Sequence, residues 1–248
     1  MNYNKTSVPA YVAAAGVHVY TASGVVLAFL TVLAAIQKEV TLALWLGLVA
    51  MVIDGTDGML ARTFRVKERL PWFDGATLDN IVDYLTYVFA PVVLLWTCGY
   101  LPQGPAGLII AVLPLLASAY QFCRVDAKTD DHFFLGFPSY WNVVAFYVIV
   151  LGLNPRTTSI ALIVLAVLAF VPICYLYPSR TLVLRRLTLA ASAIWMICYI
   201  IILLGMPAPD PLVVNISLLF VAYYVAASLY LTYRRYLNRR EQRSHGSV

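Results

Sequence analysis

Charge is what this chain lacks. Only 12% of its 248 residues are Asp, Glu, Lys or Arg, against about a quarter in an ordinary soluble domain. With 62% hydrophobic residues and a mean hydropathy of +0.81, one water-soluble core would leave too much apolar surface exposed. That excludes a soluble globular protein and implies a polytopic membrane protein. Histidine is scarce, at three residues, and the four cysteines (Cys98, Cys123, Cys174, Cys198) show neither metal-ligand nor disulfide spacing. The cysteines read as small apolar residues. Internal repeats and low-complexity tracts are missing, so residues 1–248 read as one membrane-embedded domain, with 233–248 a basic tail. The first apolar run is too long for a secretory signal and no cleavage site follows it, so none is expected.

What is present is eight apolar segments of about bilayer-spanning length. They cover approximately 10–36, 40–62, 75–98, 105–123, 138–153, 158–177, 187–204 and 211–233, and predict an all-α bundle of about eight transmembrane helices. Pro and Gly cluster between segments, as in "GYLPQGPAG" and "GMPAPDP", and mark turns. The net charge of +5 matters through its distribution, and nucleic acid is not an expected partner. With both ends on one side, that side holds Lys5, Arg62, Arg65, Lys67, Arg69, Arg124, Lys128, Arg180, Arg185, Arg186, Arg234, Arg235, Arg239, Arg240 and Arg243. The other side holds only Lys38 and Arg156. The positive-inside rule therefore predicts cytosolic termini, with the tail "YRRYLNRREQR" against anionic headgroups.

Four acids break the apolar pattern. Asp54 and Asp57 close the second segment, and Asp79 and Asp83 open the third. On a helix, Asp54, Asp57, Gly58, Ala61 and Arg62 share one arc, while Gly75, Asp79 and Asp83, spaced by four, share a face. A short loop joins the two helices, so the carboxylates are predicted to converge just inside the cytosolic boundary. Dehydrated and unpaired, each would cost several kcal/mol. Arg62 alone does not compensate, and hard divalent cations fit best: Mn²⁺ or Mg²⁺, two of them for phosphoryl chemistry. Zinc is disfavoured, because no His or Cys lies near in sequence. An ion-coupled transporter is the other class that places acids in membrane helices. Against it, the acids gather at one edge and have no counterpart in the second half of the chain.

The pattern Asp54-x2-Asp57-Gly58-x2-Ala61-Arg62, then Gly75-x3-Asp79-x3-Asp83, resembles the signature of the CDP-alcohol phosphatidyltransferases. The spacer between Arg62 and Gly75 is twelve residues, 63–74, longer than the family's usual one. It is similar to a bacterial, choline-using branch, as are "HVYTASG" (18–24) and "FLGFPSYWN" (134–142). The resemblance implies that choline attacks CDP-diacylglycerol to give phosphatidylcholine and CMP. It implies metal ligation by Asp54, Asp57, Asp79 and Asp83, with Asp83 also the general base. A nucleotide pocket of Asp54, Gly58, Ala61, Arg62, Gly75 and Asp79 follows, with Arg124 at the lipid phosphate. A related phosphatidyltransferase using serine or another alcohol is the alternative. A homodimer in the bacterial inner membrane, with a cytosolic active site, is also implied.

Choline has no N–H to donate, so its cation is best held by aromatic faces. The predicted cytosolic face offers Trp72, Phe73, Tyr84, Tyr120, Tyr140 and Trp141, of which Tyr140, Trp141 and Tyr84 are the expected choline residues. His18, inside an apolar run, is expected to be a packed side chain. Asp126, Asp130 and Asp131 are expected to form a solvated loop.

Overall fold

The computed structural model describes residues 8–127, 129, 133–177, 181 and 183–245, with side chains up to 237 in the last stretch. Lys5, Lys128, Asp130, Asp131 and Arg180, and the side chains of Arg239, Arg240 and Arg243, lie outside the described residues. All eight predicted segments are helical over much of their length. Among the described residues six helices are long and apolar enough to cross a membrane: Val8–Ile36 (α1), Val40–Thr63 (α2), the continuous Gly75–Thr97 span, Pro105–Cys123 (α6), Arg185–Leu204 (α9) and Pro211–Leu237 of α10 (Pro211–His245). Trp141–Val150 (α7) and Pro155–Leu168 (α8) are shorter apolar helices. The chain is a multi-pass membrane protein.

The packing divides into two compact units, Met1–Leu115 with Tyr140–Thr158, and Leu116–Ser139 with Ser159–Val248. In the first unit, α1 packs along α2, and a single turn, Val66–Arg69 (α3), follows α2. The turn docks through Val66 and Leu70 against Ala14 and Val17 of α1, with Leu60 and Ala61 beside them. Asp74 starts the next helix, Gly75–Asp83 (α4): its carboxylate accepts from the Ala76 and Thr77 amides at 3.0 and 3.2 Å and from the Thr77 hydroxyl at 2.7 Å. Those bonds satisfy donors that a helix start leaves orphaned. With Thr77 donating through its side chain and backbone, the Asp74 carboxyl is held below its ordinary value. The span continues through a π-helical stretch, Tyr84–Phe89, into Ala90–Thr97 (α5).

In the second unit, Phe133–Leu135 (β1) pairs antiparallel with Cys174–Leu176 (β2), Phe134 opposite Tyr175. These two short strands add to the expected all-α bundle. The sixth apolar segment was expected to stay helical to 177, but α8 stops at Leu168. Pro172 and the flanking β-branched Val171 and Ile173 disfavour the α conformation there. Hydroxyls of α10 satisfy the strand that follows: Thr232 Oγ1 accepts from the Cys174 amide at 2.9 Å and Ser228 Oγ from the Leu176 amide at 3.2 Å. Gly136, at φ 85°, sits so close to the Ala169 carbonyl that no Cβ fits.

Candidate active site and family

The acids converge as the spacing predicts for three of the four. Asp54 and Asp57 on α2 and Asp79 on α4 each offer one carboxylate oxygen, and these oxygens lie within 4.8 Å of one another. Asp57 is buried and the other two are half-buried. Asp83, one turn beyond Asp79 and half-buried, is not part of this closest group. An all-carboxylate donor set of this compactness fits a hard divalent cation. Close negative charges in a half-buried setting also need one, or protons, to coexist.

Neutral hydroxyls brace two of the carboxylates. Thr21 of α1 donates to Asp57 Oδ2 at 2.8 Å, in a buried contact. Tyr87, in the π-helical stretch, donates to Asp54 Oδ2 at 2.6 Å. Neither residue was among the sequence-derived candidates. Tyr87 left a trace, because it extends the spacing of four through Gly75, Asp79 and Asp83. Thr21 left only its place within "HVYTASG" (18–24), and nothing in an apolar helix announces which neighbour its hydroxyl will meet.

The small residues of the motif have distinct surroundings. A Cβ on Gly75 would lie 2.8 Å from Cε1 of His18. The His18 ring lies 4.3 Å from that of Phe73, so it packs as expected, although its Nε2 is buried with no hydrogen-bond partner. A Cβ on Gly58 would meet Nη1 of Arg62 at 3.4 Å, so this exposed arginine folds back along its own helix. Ala61 is half-buried beside Val66 and Leu70.

The expected choline residues differ among themselves. The half-buried Tyr140 ring lies 6.3 Å from that of Tyr87, whose hydroxyl reaches Asp54. Trp141 is only 2% exposed and packs as a core side chain. Tyr84 donates its hydroxyl to the Leu115 carbonyl at 3.1 Å. Asn142, next in sequence, keeps a buried amide oxygen without a partner. In the second unit, Arg124 grips Asp126 with two bonds of 2.7 Å and lies over the Tyr120 ring. Asp126 is thus exposed yet paired, and the guanidinium holds its carboxyl below the ordinary value.

Membrane helices that gather aspartates into a cluster able to hold a metal ion define a class: a membrane-embedded, aspartate-based site suited to phosphate chemistry. The family model for CDP-alcohol phosphatidyltransferase matches residues 17–231, and the chain belongs to that family. Membership removes the transporter reading. Among curated relatives, phosphatidylcholine synthase of Legionella bozemanae is 43% identical over 204 residues, covering 79% of this chain and 94% of the relative. Phosphatidylcholine synthase of Pseudomonas aeruginosa is 40% identical over 222 residues, covering 89% and 92%. The Borreliella burgdorferi protein of the same name is 36% identical over 220 residues, covering 88% and 94%.

Proposed function

We propose that this protein transfers the phosphatidyl group of CDP-diacylglycerol to choline, forming phosphatidylcholine and releasing CMP. The observation that carries the reading is the cluster of Asp54, Asp57 and Asp79 within 4.8 Å, in a chain whose relatives are phosphatidylcholine synthases. Bound at the cluster, Mn²⁺ or Mg²⁺, as a pair, would neutralise the diphosphate and the charge that develops on the leaving CMP. Asp54, Asp57 and Asp79 would hold the cations, with Asp83 as a further ligand. Asp54, Gly58, Ala61, Arg62, Gly75 and Asp79 line the nucleotide pocket.

Asp83 accepts the proton of the choline hydroxyl as the oxygen attacks the phosphatidyl phosphorus. The bond from that phosphorus to the bridging oxygen of the CMP moiety breaks, and CMP leaves with the electron pair. General-base assistance of this kind contributes about 10²–10⁴-fold. Tyr140 leads the choline site, with Tyr84 and the buried Trp141 behind it; the contact of Tyr140 with Tyr87, and through it Asp54, supports that placement. Arg124 meets the lipid phosphate, exchanging Asp126 for it. The chain acts as one membrane-embedded domain, since the family match runs through both units. The clustered basic residues support a bacterial inner-membrane orientation with cytosolic termini and active site, and the protein works as a homodimer.

The test is release of CMP from CDP-diacylglycerol by the purified protein in detergent micelles. CMP should appear only when choline and Mn²⁺ or Mg²⁺ are both present, and chelation should stop it. Release that is indifferent to added cation would overturn the role given to the cluster.

A further inference from the structure

We propose that Thr21 and Tyr87 are positioning residues for the cation site, each fixing one ligand carboxylate with a single hydroxyl. The inference rests on the cation-binding reading of the aspartates above. Three carboxylates whose oxygens approach within 4.8 Å repel one another, and an aspartate side chain left to itself relieves that repulsion by rotating away. Asp57 is restrained from a third helix, by Thr21 of α1 at 2.8 Å. Asp54 is restrained from the π-helical stretch, by Tyr87 at 2.6 Å. The Tyr87 bond has the length of a charge-assisted O–H···O⁻ contact, and the Thr21 bond that of a well-formed hydroxyl hydrogen bond.

The chemistry of the donors is as informative as their position. A lysine or arginine in either place would restrain the carboxylate and also cancel its charge, competing with the cation. A hydroxyl restrains without adding charge, so the cluster keeps its attraction for a divalent ion. Both hydroxyls come from well-packed side chains: Thr21 is 7% exposed and Tyr87 8%. Each donor is therefore held as firmly as the acid it serves. Partners of metal-ligating carboxylates typically carry about a 10–100-fold effect on metal affinity. The π-helical stretch also gains a role, because it presents the Tyr87 hydroxyl to α2 while its ring stays against Tyr140.

The test measures Mn²⁺ binding by the full-length protein in detergent, from the electron paramagnetic resonance signal of free Mn²⁺, without turnover. Tyr87→Phe and Thr21→Val should each raise the Kd for Mn²⁺ by about 10–100-fold. Thr21→Ser, which keeps the hydroxyl, should stay within a few-fold of the parent. Turnover in Tyr87→Phe should recover as Mn²⁺ is raised, with the choline KM little changed because the ring remains. Unchanged Mn²⁺ affinity in Tyr87→Phe, or Thr21→Ser as weak as Thr21→Val, overturns the inference while leaving the cation site standing. A parent protein that binds no Mn²⁺ overturns the cation reading itself, and this inference with it. Should Thr21→Val fail to fold, the isosteric Tyr87→Phe still decides.

Discussion

At Gly24, α1 packs directly against Val82 of α4, and a single methyl group there should disturb the site from a distance. Gly24 is buried, and a Cβ added to it would drive into Cγ1 of Val82, well inside van der Waals contact. Val82 is itself only 5% exposed and has little room to yield. Restoring ordinary carbon–carbon contact of about 3.5–4.0 Å requires the two helices to separate by ~1 Å. Overpacking of this kind costs about 1–3 kcal/mol. The displacement falls one turn from Thr21, which braces Asp57, and one residue from Asp83. Misplacement of reacting groups by ~1 Å can cost about 10²-fold in rate. Gly24→Ala should therefore lower turnover by roughly 10–100-fold and lower the thermal midpoint in detergent. Val82→Ala removes two carbons' worth of apolar burial, a loss of about 1.6 kcal/mol at ~0.8 kcal/mol each, but it makes room for the new methyl. The double variant Gly24→Ala, Val82→Ala should regain most of the turnover that Gly24→Ala loses. Choline-dependent CMP release and a thermal melt on all four proteins check this. Parental turnover in Gly24→Ala, or no recovery in the double variant, would refute the claim that this contact sets the site.

Further outcomes follow from the roles assigned to individual side chains. Asp83→Asn should abolish turnover while leaving CDP-diacylglycerol binding largely intact, whereas Asp54→Asn and Asp79→Asn should weaken both cation and nucleotide binding; equilibrium binding beside turnover separates them, and near-normal turnover in Asp83→Asn would remove it as base. Tyr140→Ala should raise the choline KM several-fold to about tenfold, from the ~0.5–2 kcal/mol of one aromatic face, with little change for CDP-diacylglycerol; a parental choline KM would exclude Tyr140 from the acceptor site. Asp74→Ala should destabilise the start of α4 through the lost helix cap, read as a lower thermal midpoint. The Asp74 carboxyl is depressed by its hydrogen bonds, so its stabilisation is complete above the ordinary aspartate value and is lost as pH falls through the lowered one. The midpoint difference between the parent and Asp74→Ala should accordingly shrink only in strong acid, and a difference that grew there would contradict the capping role.

Much of this was legible in the sequence because the signals were one-dimensional. Apolar segments and turn-forming Pro and Gly are local, so most helices fall where expected. Asp54, Asp57 and Asp79 meet because helical spacing aligns them and a short loop brings α2 and α4 together. What was not legible depended on the third dimension. Thr21 lies thirty-six positions from Asp57, and no local pattern links them. Trp141 has an aromatic side chain suited to choline, but the depth at which its ring is buried has no signature in the sequence. The end of α8 was marked by Pro172, yet the strand that follows needs hydroxyls from α10, fifty-two and fifty-eight residues away. Asp126 was read as solvated because exposure was apparent and its neighbour's geometry was not; Arg124 pairs with it across a tight turn.

Choline is the alcohol this protein accepts. The most direct measurement is a competition in detergent micelles: purified protein, CDP-diacylglycerol and Mn²⁺, with choline, ethanolamine, serine and glycerol 3-phosphate at equal concentration, and the lipid products resolved. Phosphatidylcholine should be the dominant product, with one CMP released for each molecule formed. Predominant phosphatidylserine or phosphatidylglycerophosphate would contradict it, leaving the aspartate cluster and the family in place but assigning a different acceptor.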